Sequence, residues 1–405
     1  MTLSAPSPTR TGGITTPSGF RAAGVSAGIK ANHGLDLALI VSDRPATAAA
    51  VFTTNLAQAA PVLISKEHLA RSGGVARAII VNSGCANACT GDAGLEVARR
   101  MAAEAARVAD CPVEQALVAS TGVIGVNLDI DKIRRALPDA SRALASDQGA
   151  AAAKAIMTTD PFPKEAAIEI QIGGRTVSIG GMAKGSGMIE PMMATMLGFV
   201  TTDASISQPI LQRALVEAVH DSFNAITVDG ECSTNDCVML LANGASGATV
   251  DDAAYATFVD GLRAVCRELA LGIVRGGEGA TKLVKVTVTH AASGADARRA
   301  AKAIANSPLV KTAIHGGDPN WGRLIAVAGR AGVAFNLSRA SVAIGSTVLF
   351  EDGRPYDERA SAAADYLRGT DLDVTVGLGA GSESSTVWTC DLSAEYVKIN
   401  AEYRT

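Results

Sequence analysis

The chain has 405 residues, 48% of them hydrophobic and 4% aromatic, with 41 glycines and a formal charge of −4. That length is enough for more than one core or one large α/β body, and the balance excludes a disordered or fibrous chain. With no basic excess, neither nucleic acid nor an anionic membrane surface is an expected partner.

Residues 1–19, MTLSAPSPTRTGGITTPSG, hold Ser, Thr, Pro and Gly without the apolar stretch of a signal peptide, and read as a loose arm. From Gly19 the pattern turns to strands: LDLALIVSD and ATAAAVFTTN are two short apolar runs with a polar break between them. ARAIIVNSG predicts a buried strand running into the loop CANACTGDAG, followed by a helix from about Asp92 to Ala109. QALVASTGVIG reads as a strand ending in a Ser-Thr-Gly turn. DIDKIRRAL and DQGAAAAKAIM read as helices, the second stopped by the two prolines of TTDPFPK.

The clearest local pattern is AAIEIQIGGRTVSIGGM. Ile168, Ile170 and Ile172 alternate with polar residues, Gly173-Gly174 makes the turn, and Val177 and Ile179 alternate on the return. This hairpin feeds the loop AKGSGMIEPMMAT, and loops held by strands are where sites are commonly built. MLGFVTTD then predicts a strand and SQPILQRALVEAVHDSF a helix with Pro209 in its first turn. NAITVDGECSTND and VMLLANG read as strand and turn pieces, and a helix follows over roughly Asp252 to Leu271. KLVKVTVTHA is a predicted strand and ADARRAAKAIANS a helix. VAFNLSRASVAIGSTVLF and DLDVTVGLG add further strands. No internal repeat is visible. Strands outnumber crossover helices, which predicts a mixed α/β sandwich rather than a doubly wound parallel sheet.

Seven cysteines, an odd number spread over a long chain, do not form a disulfide framework. Cys85 and Cys89 in CANAC, and Cys232 and Cys237 in CSTNDC, lack zinc-ribbon spacing, and the five histidines are dispersed. No metal site is therefore expected, and the thiols suit a reducing compartment. No apolar run has the length of a membrane span, so the expectation is a soluble, cytoplasmic protein.

Three Gly-rich stretches invite a ligand. GGMAKGSGM has a lysine among glycines but lacks the phosphate-loop pattern. RGGEGATK, Arg275 to Lys282, fits an anion loop or an ordinary helix-to-strand turn. HGGDPNWGR, His315 to Arg323, offers too few ligands for a metal and reads as a rigid loop. Thr195, between a Gly-rich loop and the apolar run MLGFV, fits either the opening of a buried strand or a nucleophile delivered onto a strand end.

GGMAKGSGMIEPMMATMLGFVTTDA resembles the self-cleavage segment of the ornithine acetyltransferases, the bifunctional glutamate N-acetyltransferases of arginine biosynthesis. The likeness extends in order through NSGCANACTG, STGVIG, AIMTTDPFPK, DSFNAITVDGECSTND, GGEGATK, GGDPNWGR and the terminal KINAEYRT, from Gly19 onward. The resemblance implies a mixed α+β fold related in style to N-terminal-nucleophile enzymes. It also implies self-cleavage between Ala194 and Thr195, giving chains 1–194 and 195–405 intertwined in one body, two of each in a heterotetramer. By the same resemblance Thr195 is the nucleophile and Thr121 and Gly122 form the oxyanion hole. Substrate contacts fall on Thr158, Lys184, Thr195, Glu278, Asn400 and Thr405, with Lys184 suited to a carboxylate and Glu278 to the ornithine ammonium. Asn400 and Thr405 imply a tail folded back over the site. Acetyl passes from N-acetylornithine to Thr195 and then to glutamate, with no cofactor and with acetyl-CoA left open as a second donor. A self-processed amidohydrolase or aminopeptidase of the N-terminal-nucleophile type is the alternative.

The cut has a chemical purpose. A threonine hydroxyl is a poor nucleophile without a base. Cleavage turns a non-basic amide into an α-amine of pKa about 7.7–8.0, neutral at pH 7 roughly 300 times more often than a lysine. Nucleophile and base then share one residue.

Overall fold

The computed structural model describes residues 12–190 and 196–402, arranged as two compact units. The first takes in residues up to 224 together with 231–273, and the second takes 225–230 with 274 onward.

In chain order the first unit contains β1 (Phe20–Val25), β2 (Leu37–Phe52), α1 (Ala60–Arg71), β3 (Val75–Cys85), α2 (Gly91–Ala109) and β4 (Ala116–Val123). It continues with α3 (Ile130–Ala143), α4 (Gly149–Ala155), β5 (Lys164–Ile172), β6 (Arg175–Lys184), β7 (Leu197–Thr202), α5 (Gln208–His220), β8 (Cys237–Ala242) and α6 (Tyr255–Arg275), whose last two residues count with the second unit. Its eight-stranded sheet runs β4-β3-β2-β8-β7-β6-β5, with β1 added to β2. β3–β4 and β7–β8 are parallel and the other pairs antiparallel.

The alternation of a strand places successive side chains on opposite faces, and here both faces are covered. Leu37, Leu39 and Val41 of β2 pack with Met101 and Ala105 of α2 and Ile133 and Leu137 of α3. Ala38 and Ile40, between them in sequence, pack with Ala152 and Ala153 of α4 and with Leu197, Phe199 and Met239. Double coverage explains why β2 and β3 read as nearly unbroken apolar runs. The two runs expected as separate strands are one 16-residue strand. The polar break Asp43-Arg44-Pro45 is an exposed irregularity where the β2–β3 register shifts between Val41 and Ala46. A proline is tolerated there because it sits where the ladder is interrupted.

The second unit holds β9 (Leu283–Ala291), α7 (Gly294–Ala305), α8 (Pro308–Gly316), α9 (Trp321–Gly329), β10 (Ser341–Ile344), β11 (Thr347–Glu351) and β12 (Arg354–Pro355). It ends with α10 (Ala360–Tyr366), β13 (Asp371–Gly377), β14 (Glu383–Cys390) and α11 (Ala394–Glu402). Its sheet runs β12-β11-β10-β13-β9-β14, with only β9–β13 parallel. Val284, Val286 and Val288 pack with Ala297, Ala301 and Ile304 of α7.

The mixed α/β class read from the sequence is what both units show. HGGDPNWGR departs from its loop reading: α8 ends at Gly316, Gly317 caps it at φ 70°, and α9 begins at Trp321 with the Asn320 side chain accepting from the Arg323 amide. NAITVDG, expected to include a strand, forms a 3-10 turn and one isolated bridge from Ile226 to Trp388. All seven cysteines are free thiols; Cys85, Cys237, Cys266 and Cys390 are buried and Cys89 is exposed. Among the described residues no helix is long and apolar enough to cross a membrane. The arm reading of the first residues lies outside the described residues up to residue 11.

Candidate active site

Ala194, Thr195 and Thr405 lie outside the described residues. The others can be placed unit by unit.

In the first unit, Thr121 and Gly122 stand just before Val123, the last residue of β4, and Gly122 pairs with Gly84, next to last in β3. The two strands are parallel, and at this end their backbones close in: Gly122 has φ 128° and Gly84 φ 99°. A Cβ on Gly122 would lie 2.3 Å from the Gly84 carbonyl carbon and 2.6 Å from the Cys85 nitrogen. Only glycine fits such a crossing and such a φ. The preceding carbonyl is clamped, because the Asn235 amide donates to Ser120 O at 2.9 Å and to Ala86 O. The Ser120 hydroxyl donates to Asn82, whose amide donates to Cys85 O. Every link is buried, so the strand end is held by a connected polar network. Gly122→Ala is therefore expected to lower stability by about 1–3 kcal/mol through backbone strain alone, with lost turnover, read by thermal melting and activity on one preparation.

Lys184, the last residue of β6, is buried and donates to the Thr121 hydroxyl at 3.2 Å. A hydroxyl has one hydrogen and two lone pairs. With a cation occupying a lone pair, the Thr121 hydrogen is left to point elsewhere and is polarised as a donor. Lys184 also pairs in register with Leu197 of β7, so the loop between them opens and closes at one rung of the sheet. Position 195 is two residues from that rung.

Behind Lys184 lies a buried ion pair. Asp160 and Lys164 are bonded with both side chains almost wholly inaccessible. The Asp160 carboxylate also accepts from the Gly185 amide at 2.8 Å and the Thr158 amide at 2.9 Å, and Lys164 donates to Gly185 O at 3.1 Å. Burial opposes ionisation of Asp160, but Lys184 and Lys164 outweigh it and hold its pKa down to about 2. Burial draws Lys164 the other way, below the usual lysine range, against the pull of Asp160. Lys30 also belongs to this field. Burial lowers its pKa, Asp36 and Asp160 resist, and Lys184 adds to the lowering. Thr158, expected as a substrate contact, thus has its backbone committed to Asp160.

Lys184 joins the two halves of this group: it is bonded to Thr121, next to Gly122, and its charge acts on Asp160, which holds the Thr158 amide. Sequence reasoning missed Asp160, Lys164 and Asn235. The two partners of the ion pair, Asp160 and Lys164, do stand at i, i+4 in DPFPK, a spacing that proline-rich context disguised as a mere helix stop.

In the second unit, Glu278 is buried in the turn after α6 and accepts from the Asn400 amide of α11 at 2.8 Å. The tail is therefore ordered as a helix through Glu402 rather than frayed. Asp391 holds the glycine-rich turn, accepting from the Thr281 and Lys282 amides at 2.8 and 2.9 Å and bonding His315 at 2.7 Å. RGGEGATK is thus a helix-to-strand turn that also presents a buried acid.

A sequence model described as the ArgJ family matches residues 21–405. The arginine biosynthesis bifunctional protein ArgJ of Synechococcus sp. is 50% identical, over 97% of this chain and 98% of that protein. The protein of the same name from Symbiobacterium thermophilum is 49% identical over 97% and 99%. Among solved structures, the crystal structure of arginine biosynthesis bifunctional protein argJ from Bacillus halodurans matches with TM-score 0.50 at 43% identity, over 52% of this chain and 100% of that one.

Proposed function

This chain belongs to the ArgJ family, and from that premise we propose that it moves acetyl from N-acetylornithine to glutamate through an acetyl-threonine at Thr195, yielding ornithine and N-acetylglutamate. The observation that carries the reading is the rung Lys184–Leu197. It ties the chain two residues from Thr195 to a lysine bonded to Thr121, at a strand end where Gly122 and Gly84 leave no room for a side chain.

On this reading the precursor cuts itself between Ala194 and Thr195. The Bacillus halodurans crystal chain, covered whole by about half of this one, supports such a division. After the cut, 1–194 and 195–405 stay joined because β6 pairs with β7 and β2 with β8, placing strands of both pieces side by side in one sheet. The Thr195 hydroxyl attacks the acetyl carbon and passes its proton to the new α-amine. Thr121 and the Gly122 amide receive the oxyanion. Ornithine leaves with that proton, and the glutamate amine takes the acetyl group in the reverse sequence.

We assign the substrate's side-chain ammonium to Glu278 and its remaining contacts to Thr158, Lys184, Asn400 and Thr405. The assembly is a heterotetramer of two chains of each kind, placed in the cytoplasm, where free thiols persist. The description of the relatives as bifunctional supports a second donor, and acetyl-CoA is the one we propose.

Purified protein mixed with acetylornithine and glutamate should form ornithine and N-acetylglutamate in equal amounts. With acetylornithine alone, the 195–405 piece should gain one acetyl mass. Free acetate without acetylglutamate would make the protein an amidohydrolase, and no adduct at all would end the acetyl-threonine reading.

A further inference from the structure

The loop between β1 and β2, residues 26–36, is folded onto the end of β3 beside the Gly84–Gly122 crossing. Asp36, fully buried, accepts from the Ala27, Ile29 and Lys30 amides at 2.5, 2.6 and 2.9 Å, and its own carbonyl accepts from the Ser83 amide at 2.9 Å. Lys132 of α3 fastens the same loop by donating to Gly28 O at 2.6 Å. Bonds to an ionised carboxylate are the strong ones, so the backbone of Lys30 is fixed. Its side chain is pressed against the glycine: a Cβ on Gly84 would lie 3.1 Å from Lys30 Cγ and 3.4 Å from the Lys30 nitrogen.

A lysine ammonium carries three hydrogens. Among the described residues that of Lys30 has one hydrogen-bond acceptor, Leu35 O at 2.6 Å, and the residue is only half-buried. Two hydrogens therefore stay available to a ligand, on a cation already partly stripped of water. Lys184, the other cation at this end, is buried and donates to Thr121, so it serves the carbonyl end of a substrate. Burial works against the charge of Lys30 while Asp36 and Asp160 support it, and an anion against its remaining hydrogens would favour the charged form further.

In an N-acetyl amino acid the acetyl carbonyl and the α-carboxylate are separated only by the amide nitrogen and Cα. With the carbonyl oxygen held by Thr121 and Gly122, the carboxylate falls within one side chain's reach of the crossing that Lys30 packs against. We infer that Lys30 binds the α-carboxylate of the amino acid whose acetyl group is moved. This rests on the proposed acetyl transfer and deepens it. Ornithine and glutamate differ at the side-chain end and are alike at this one, so a single fixed cation serves both halves of the reaction.

The test compares N-acetylornithine with its α-carboxamide, which keeps the side-chain ammonium and loses only the negative charge, with glutamate as acceptor throughout. Wild type should show a kcat/KM for the amide roughly 10–10²-fold lower, the scale of one charge-assisted hydrogen bond, and mainly through KM. Lys30→Met should lose about as much on acetylornithine and then handle the two donors alike, which a packing role would not produce. Lys30→Arg keeps the charge and should keep the preference for the acid. Lys30→Gln retains a donor for Leu35 O and takes the place of Lys30→Met if that variant does not fold. A preference for the acid as strong as that of wild type in a neutral variant, or none in wild type, would overturn the assignment. A wild type that moves no acetyl from acetylornithine would instead remove the proposed transfer.

Discussion

Thr195→Ala is expected to give one full-length polypeptide on a denaturing gel and to lose acetyl transfer by at least about 10⁴-fold, the scale on which removing a covalent nucleophile acts. Both effects come from one oxygen. Without it the 194–195 peptide has no internal nucleophile, so no α-amine is exposed. Even if the amine were supplied by other means, no atom would be left to carry the acetyl group. Thr195→Ser is the informative companion. It keeps the hydroxyl and loses only a methyl, so it should still be cut and should retain measurable transfer. A Thr195→Ala protein that arrives as two pieces would place the cut, and with it the base, elsewhere. Two pieces from wild type with normal transfer by Thr195→Ala would remove the acetyl-threonine altogether.

Much of the architecture was legible because it is local. The β5–β6 hairpin announces itself through Ile168, Ile170 and Ile172 and through Gly173 and Gly174, whose φ values of 56° and 75° are the turn the sequence asks for. α2 and α7 follow from their apolar spacing. What escaped was set by tertiary context. Pro45 and its polar neighbours look like a break, yet the chain passes through them as one strand because β3 pairs on either side. α8 was masked by Gly316 and Gly317 at its end, although Ser307 with Pro308 marks its start by the ordinary capping rule. β14, ESSTVWTC, is rich in hydroxyls and lacks a clean alternation, so only pairing with β9 makes it a strand.

The same division runs through the site. Thr121, Gly122 and Lys184 stand in motifs, and a resemblance finds them. Asp160 acts on Lys184 across 24 positions of sequence and the Asn235 amide holds Ser120 O across 115. Neither distance leaves a mark that spacing can reveal.

Asp160→Ala is expected to lower stability by about 3–5 kcal/mol, because it strands a buried cation without a partner. Lys164 would keep Gly185 O as an acceptor but lose the carboxylate, and the Gly185 and Thr158 amides would lose theirs. Activity should suffer with stability, since Lys184 would lose the anion that balances it beside Thr121. The pH dependence has a definite sign. The folded carboxyl titrates at about 2 against an ordinary 3.8, so the folded chain binds fewer protons between those values. Its stabilising contribution is complete above about pH 4 and is lost as pH falls through about 2. Denaturant unfolding of wild type and Asp160→Ala at several pH values should show curves that lie far apart at pH 6 and converge on acidification. Curves that stay equally far apart down to pH 2 would mean that the charge of Asp160 is not what holds the Lys164 and Gly185 contacts together.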